Sequence, residues 1–374
     1  MSTVADWEAR AQAWSNEHPP PLGAPAGSRT PVTARQREEW LAWTREMHAA
    51  GLATMEWPAE WGGGGAGVAE TRAVARILHE AGAPHVLSSI GTGMVGPALI
   101  KFGTPEQRAR HLPGIAGGTT IWTQLFSEPG AGSDLAAVRT KAARHPDGGW
   151  VVSGQKVWNT YAHLADWGYL IARTGGPDSR HRGLTMFVLD MTTPGVTVQG
   201  IREITGDADF NEVFLDDVRL SDDAVVGAVD GGWGVSMSTL SDERTVVGSL
   251  VLWLQTEVDR LTRVVRGLGD DASDGITTAL AEVVAEVRAL ADLSGREQIP
   301  GAETIGKIAY ADLNIRVHQL ALDVSCAHPD AVPDAWAHRW SDSYLYTRAY
   351  TISGGSNEIL RNVVAKRGLG LGSS

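Results

Sequence analysis

The apolar period of this chain changes twice, and that pattern restricts the folds open to it. Up to about residue 120 the apolar residues recur at helical spacing. Trp40, Leu41, Trp43 and Met47 follow Thr33-x-x-Gln36, a capping box, and Gly51 closes the segment. Thr104-Pro105-Glu106-Gln107 repeats the device, with proline at the first helical position. From about residue 121, short β-type runs take over at 150–153, 167–173, 184–190, 196–200 and 210–215. Turn sequences such as PDGG and TTPG separate them. From Trp233 the helical period returns. Leu240, Glu243, Val247, Leu250 and Leu254 fall on one stripe, and Leu280, Val283, Val284, Val287 and Leu290 on another, with DDASDG as a polar break between them. The expected fold class is α+β: an N-terminal helical domain (1–120), a middle antiparallel β domain (121–230) and a C-terminal helical bundle (231–374).

Composition narrows the function classes. At 374 residues the chain can bury a large core. A formal net charge of −12 argues against a nucleic-acid surface, which needs clustered Lys and Arg. The single cysteine, Cys326, permits no internal disulfide and suits a reducing compartment. The opening residues MSTVADWEARAQAW lack the pattern of a signal peptide, and no run approaches the roughly 18 apolar residues of a membrane span. A cytoplasmic protein without a membrane partner is expected. The 11 histidines show no paired ligand spacing with Cys or carboxylates, so no metal is expected.

Two stretches look chemical. LFSEPGAGSDL (125–135) carries two of the three glycines of a dinucleotide fingerprint, but Leu135 stands where the third belongs. It runs into Val138-x-Thr140-x-Ala142, a strand-like pattern, instead of opening a helix, which argues against a Rossmann site. GQKVWNTYAH follows. Trp158 offers a flat apolar face and Thr160 shares its side of a strand, an arrangement suited to a flavin ring and equally to an ordinary core. The WPAEWGGGGAG segment reads as a connector.

The ordered set QLFSEPGAGS, WVVSGQKVW, FNEVFLDDVRL, DGGWG…LSDER and TISGGSNEILRN resembles the acyl-CoA dehydrogenase family over residues 35–370. It looks closest to the actinobacterial branch that handles sterol side chains and other bulky acyl groups. The resemblance implies FAD as cofactor and an acyl-CoA or carrier-bound acyl thioester as substrate. It implies α,β-dehydrogenation to the 2-enoyl thioester, with an electron-transfer flavoprotein as acceptor. Gln124, Phe126, Ser127, Gly132 and Ser133 then lie along the flavin, with Ser133 also at the thioester. Trp158 stacks on the ring, Thr160 reaches near N5, and Ser356 and Asn357 complete the cofactor contacts. Arg244, Gly354 and Gly355 face substrate. Glu128 and Asp134 fix the loop.

Most of the family carries its base just before Gly-Thr/Ser of the C-terminal motif, a place that Gly354 fills here. Other members carry it on the helix that opens the bundle, and Glu243 of SDER matches that position. Glu243 also lies on an apolar stripe, where a carboxylate is costly unless paired or used and where its pKa tends to rise. A structural ion pair is the competing role. The family's Arg-x-x-Phe-Gly and Gly-Gly-x-Gly motifs, which hold the far half of FAD across a subunit interface, are missing. The last phenylalanine is Phe214, and no glycine lies between Lys307 and Ser353. The resemblance therefore points to a homologous partner chain that completes the site, or else to a homo-oligomer with an adapted one. Two other readings stay open: a subunit with only half a flavin site, and a flavin oxidase or monooxygenase of the same fold.

Overall fold

The computed structural model describes residues 3–21, 34–83, 87–245, 247–294 and 301–371; the side chains of residues 34, 177, 241–249, 294 and 367 also lie outside the description. The Thr33 half of the first capping box therefore falls outside the described residues. The helices are α1 (Val4–Glu17), α2 (Ala34–Ala49), α3 (Val68–Glu80), α4 (Gly96–Phe102), α5 (Pro105–Ala116), α6 (Gly232–Thr245), α7 (Val247–Leu268), α8 (Asp274–Ser294), α9 (Ala302–Ala327), α10 (Asp334–Tyr350) and α11 (Asn357–Val363). Between α5 and α6 run β1 (Trp122–Leu125), β2 (Lys141–Arg144), β3 (Trp150–Thr160), β4 (Trp167–Arg173), β5 (Leu184–Asp190), β6 (Val196–Gly200), β7 (Phe210–Leu220) and β8 (Val225–Val226). The order of helices, sheet and helices is the one expected. Two compact units form: one from 1–36, 67–85 and 244–374, the other from 37–66 and 86–243.

In the second unit the sheet order is β6-β7-β3-β2-β4-β5-β8, with β1 beside β4. The sheet is mixed rather than wholly antiparallel, because β1 and β2 each pair parallel with β4. Isolated strand runs carry no sign of pairing direction, so the sequence could not show this. The runs in β4 and β5 are almost continuously apolar because both of their faces are covered. Tyr169, Ile171, Leu184, Met186 and Val188 join a core with Trp57, Leu99 and Ile115. Their neighbours Leu170, Ala172, Phe187 and Leu189 join a second core with Trp150 and Val213.

The 57–67 segment is a hydrogen-bonded turn, not a loose connector. Gly64 and Ala66 donate to Met55 O, and Gly65 donates to Trp57 O. At Gly63 a Cβ would sit 1.9 Å from Trp57 O, so only glycine allows the approach. α5 starts as its sequence dictates: Gln107 N donates to Thr104 Oγ1 (3.2 Å) and Thr104 N to Gln107 Oε1 (3.0 Å). That cap orients His111 between the rings of Trp122 and Trp167, 5.3 and 4.6 Å away between centroids. Burial, with Arg110 next to it, pushes the imidazole down to about 4. A depressed folded-state pKa means that this group's contribution is complete above about pH 6.5 and is lost as pH falls towards 4. We expect a loss of about 3 kcal/mol from this site across that window. Urea midpoints measured at pH 7 and pH 4.5 check it, and the drop should shrink in His111→Gln; an equal drop in both proteins would refute this assignment.

In the first unit α1 packs on α3, α3 on α7, α8 on both α7 and α9, α7 on α9, and α10 on α9. The second expected stripe supplies its core, with Leu280, Val283, Val287 and Leu290 buried beside Leu254, Leu261, Val317 and Trp340. Of the first stripe, Leu250 is half-buried against this core, Leu240 packs in the second unit, and the side chains of Glu243 and Val247 lie outside the described residues. A 3-10 turn over Gly269–Asp271 occupies the expected polar break.

Candidate active site

Residues 123–128 lie alongside the end of β3 in the second unit. Thr123 Oγ1 donates to Thr160 O (2.8 Å), Asn159 Nδ2 to Gln124 O (2.8 Å), and Val157 N to Ser127 O (3.0 Å). The loop then closes on itself, because Glu128 and Ala131 exchange both backbone hydrogen bonds (2.9 and 3.0 Å). Gly130 and Gly132 face open space, where an added Cβ would meet nothing within 4 Å. Phe126 contributes backbone only, since its ring is buried against Tyr169. Ser127 is half-buried, and Gly132 and Ser133 are exposed. Asp134 pairs with Arg180 at 3.0 Å.

The loop rests on a buried ion pair that residue patterns did not reveal. The Lys156 side chain is 0% exposed, and its Nζ donates to Glu128 Oε1 (2.8 Å) and Phe126 O (3.1 Å). Glu128 also accepts from the amides of Arg139 (2.6 Å) and Thr140 (2.9 Å). Burial pushes the Lys156 ammonium down to about 8, and the Glu128 carboxylate opposes that shift. Burial also works against ionised Glu128, but Lys156 and the loop donors outweigh it and hold Glu128 below the usual carboxylate range. Both groups are therefore charged at neutral pH.

Trp158 lies where the β3–β7 register shifts, between Lys156 and Asn159. Its φ is 62°, left-handed backbone that a bulky residue rarely adopts. The residue is 58% exposed, and its indole is steadied by an edge contact to Phe210 (6.1 Å between centroids). A strained backbone that presents a large aromatic face outward is typical of a ligand clamp rather than a core. Asn159 next to it is buried, and its Oδ1 has no hydrogen-bond partner. An open indole face, glycines with room above them and an orphaned acceptor fit a planar heteroaromatic group such as the flavin ring.

Gly354, Gly355, Ser356 and Asn357 form a second cluster, in the first unit. Gly354 and Gly355 have φ of 65° and 97°, and Ser356 caps α11. Lys307 Nζ donates to Gly355 O (2.8 Å) and Asn357 Oδ1 (3.1 Å), while Asn357 Nδ2 donates to Asp312 (2.9 Å). The Asn357 side chain is thus engaged within its own unit. Glu243 and Arg244 belong to α6, and their side chains lie outside the described residues.

Glu257, fourteen residues after Glu243, continues the same apolar spacing in the sequence. Glu257 is 1% exposed. It accepts from Arg260 and Arg339 (2.7 Å each) and from Trp340 Nε1 (3.0 Å), with His79 Nε2 3.8 Å away, within ion-pair but beyond hydrogen-bond reach. Burial alone would raise its pKa; the His79, Arg339 and Arg260 contacts reverse this and hold it far below the usual range. A carboxylate so committed serves structure, not proton transfer. Among the described residues no group of three or more His, Cys, Asp or Glu could hold a metal ion, and no helix is long and apolar enough to cross a membrane.

The helix–sheet–helix order and the domain matches that follow place the chain among flavoprotein oxidoreductases. Family profiles for the N-terminal, middle and C-terminal domains of acyl-CoA dehydrogenase match residues 28–119, 123–218 and 230–369, and the chain belongs to the acyl-CoA dehydrogenase family, with FAD as cofactor. It is 41% identical over 342 residues to acyl-CoA dehydrogenase IpdE1 of Mycobacterium tuberculosis, covering 89% of this chain and 88% of that protein. It is 37% identical over 348 residues to IpdE1 of Mycolicibacterium smegmatis, with the same coverage. The solved Tcur3481-Tcur3483 steroid ACAD is similar with a TM-score of 0.87 at 25% identity, over 99% of this chain and 98% of that one. The ChsE4-ChsE5 complex from Mycobacterium tuberculosis shares the fold, with a TM-score of 0.82 at 24% identity over 100% of both chains.

Proposed function

We propose that this chain dehydrogenates an acyl-CoA thioester between its α and β carbons, giving the 2-enoyl thioester. The observation that carries this reading is Trp158, an open indole held in left-handed backbone beside the 124–133 loop. Bound FAD supplies the hydride acceptor. Trp158 and Thr160 hold the ring, and the backbone around Ser127 donates to its edge. Ser133, Arg244, Gly354 and Gly355 position the thioester, and Glu243 removes the α-proton. Polarisation of the thioester carbonyl by fixed donors makes that proton acidic enough to leave. On this reading the chain divides at about residues 120 and 230, and the middle domain binds the ring. A bulky, steroid-type acyl group is the substrate class favoured by the steroid ACAD relative. An electron-transfer flavoprotein takes the electrons, and the reaction proceeds in the cytoplasm.

The absorbance spectrum of the purified protein tests the reading. A flavin band that bleaches anaerobically with acyl-CoA is expected; a flavin-free chain, even beside its partner, would contradict it. Trp158→Ala should weaken FAD retention by about 1 kcal/mol or shift the band, as lost stacking does. An unchanged spectrum and affinity would reduce Trp158 to a surface aromatic.

We further propose that the working form is a hetero-oligomer, a dimer of heterodimers with a homologous chain that donates the missing Arg and glycine loop. A pyrophosphate without matched donors is costly to bury, and a solved relative is a complex of two named chains, ChsE4 and ChsE5. Expressed alone, the chain should be poor in flavin, and co-expression with the partner should restore yellow colour and turnover. A fully flavinylated, active homomer would rule the partner out.

A further inference from the structure

We propose that Lys156 is an electrostatic positioning residue for the flavin: its buried ammonium polarises the Phe126–Ser127 peptide and so strengthens the Ser127 N–H as a donor to the bound ring. This inference rests on the flavin reading of the loop given above. Its geometric basis is the peptide group itself. Phe126 O and Ser127 N–H belong to one amide, and Lys156 Nζ donates to that oxygen at 3.1 Å. A cation on the carbonyl end draws electron density from the nitrogen, and hydrogen bonds in series strengthen one another in a low-dielectric interior. Lys156 is wholly buried, so water screens little of its field.

The surroundings keep the device charged and fixed. Glu128 is the counter-ion at 2.8 Å, and it is itself locked by the amides of Arg139 and Thr140. Val157 N holds Ser127 O at 3.0 Å, so the residue is pinned on both sides and its amide is held in direction. A simple loop staple needs no charge: a buried neutral pair holds backbone equally well without the desolvation cost of two ions. The charge has a use if the ligand gains electron density during turnover. The flavin ring does so on reduction, and a strengthened donor favours the reduced form.

A structural staple and an electrostatic donor predict different things. Loss of a staple weakens oxidised and reduced FAD alike and leaves the midpoint potential unchanged. Loss of the donor weakens the reduced form more. The test is the Lys156→Met/Glu128→Gln pair, which removes both charges and keeps an acceptor for the Arg139 and Thr140 amides. The FAD-loaded protein, co-expressed with its partner chain where required, is titrated against a redox dye. We expect the affinity for reduced FAD to fall about tenfold relative to oxidised FAD, a drop of about 30 mV for a two-electron couple. Lys156→Arg, which keeps the cation, should recover most of it. Should the first pair fail to fold, Lys156→Gln/Glu128→Gln restores an uncharged N–H donor and reads the same quantity. A potential equal to wild type in either neutral pair overturns the proposal while leaving the flavin reading intact. A wild-type protein that takes up no FAD overturns both.

Discussion

Replacing Glu243 by glutamine is expected to lower turnover about 10²–10⁴-fold, the usual contribution of a positioned general base, with FAD content and stability unchanged. Glutamine keeps the shape and cannot accept the proton. The rival carboxylate on the same stripe, Glu257, is already bound by two guanidinium groups and an indole N–H. The assignment therefore makes a contrast: the Glu243 variant should fail in the chemical step, and Glu257 variants should fail in folding. Stopped-flow bleaching of the flavin by acyl-CoA isolates the chemical step. Activity within tenfold of wild type in Glu243→Gln would sink the assignment. Gly354→Glu in that background should restore part of the rate by supplying a carboxylate at the other position used in the family.

The second large effect belongs to Glu257. Glu257→Ala should cost about 3–5 kcal/mol, because it strands two buried guanidinium groups without a counter-charge. Glu257 lies on α7, His79 on α3, and Arg339 and Trp340 on α10, so one carboxylate links three helices. The cluster holds two arginines for one carboxylate, and removing one cation should therefore be far milder: Arg260→Met is expected to lose less than half as much. Chemical denaturation of both variants gives the comparison. Equal losses would show that packing, not charge balance, sets the stability of this cluster.

Features set by local pattern could be read from residues alone. The Thr104 capping box, the β4 and β5 runs and the stripe of α8 follow from neighbours a few positions apart, and the structure forms them as expected. Features that join distant positions could not. Lys156 and Glu128 lie 28 residues apart, and nothing in GQKVW tells a buried lysine from a solvated one. Likewise, the parallel partnership of β1 and β4 is fixed by the whole sheet. The left-handed backbone at Trp158 depends on the register shift against β7, which period-two reading of one strand cannot contain. Glu257 falls between these cases. Its place on an apolar stripe signals that it must be paired, while the identity of its partners on two other helices emerges only from the tertiary fold.

The turn before α11 bears on how this chain can change by mutation. Gly354 and Gly355 both take left-handed backbone, and Lys307 clamps the turn through Gly355 O. A glutamate placed at 354 starts with a penalty of roughly 1–2 kcal/mol before it does any chemistry. With Glu243 as the proposed base, Gly354→Glu alone brings a cost and no gain. A second carboxylate at this turn adds strain without chemistry, so changes in substrate choice are best made around the long helix.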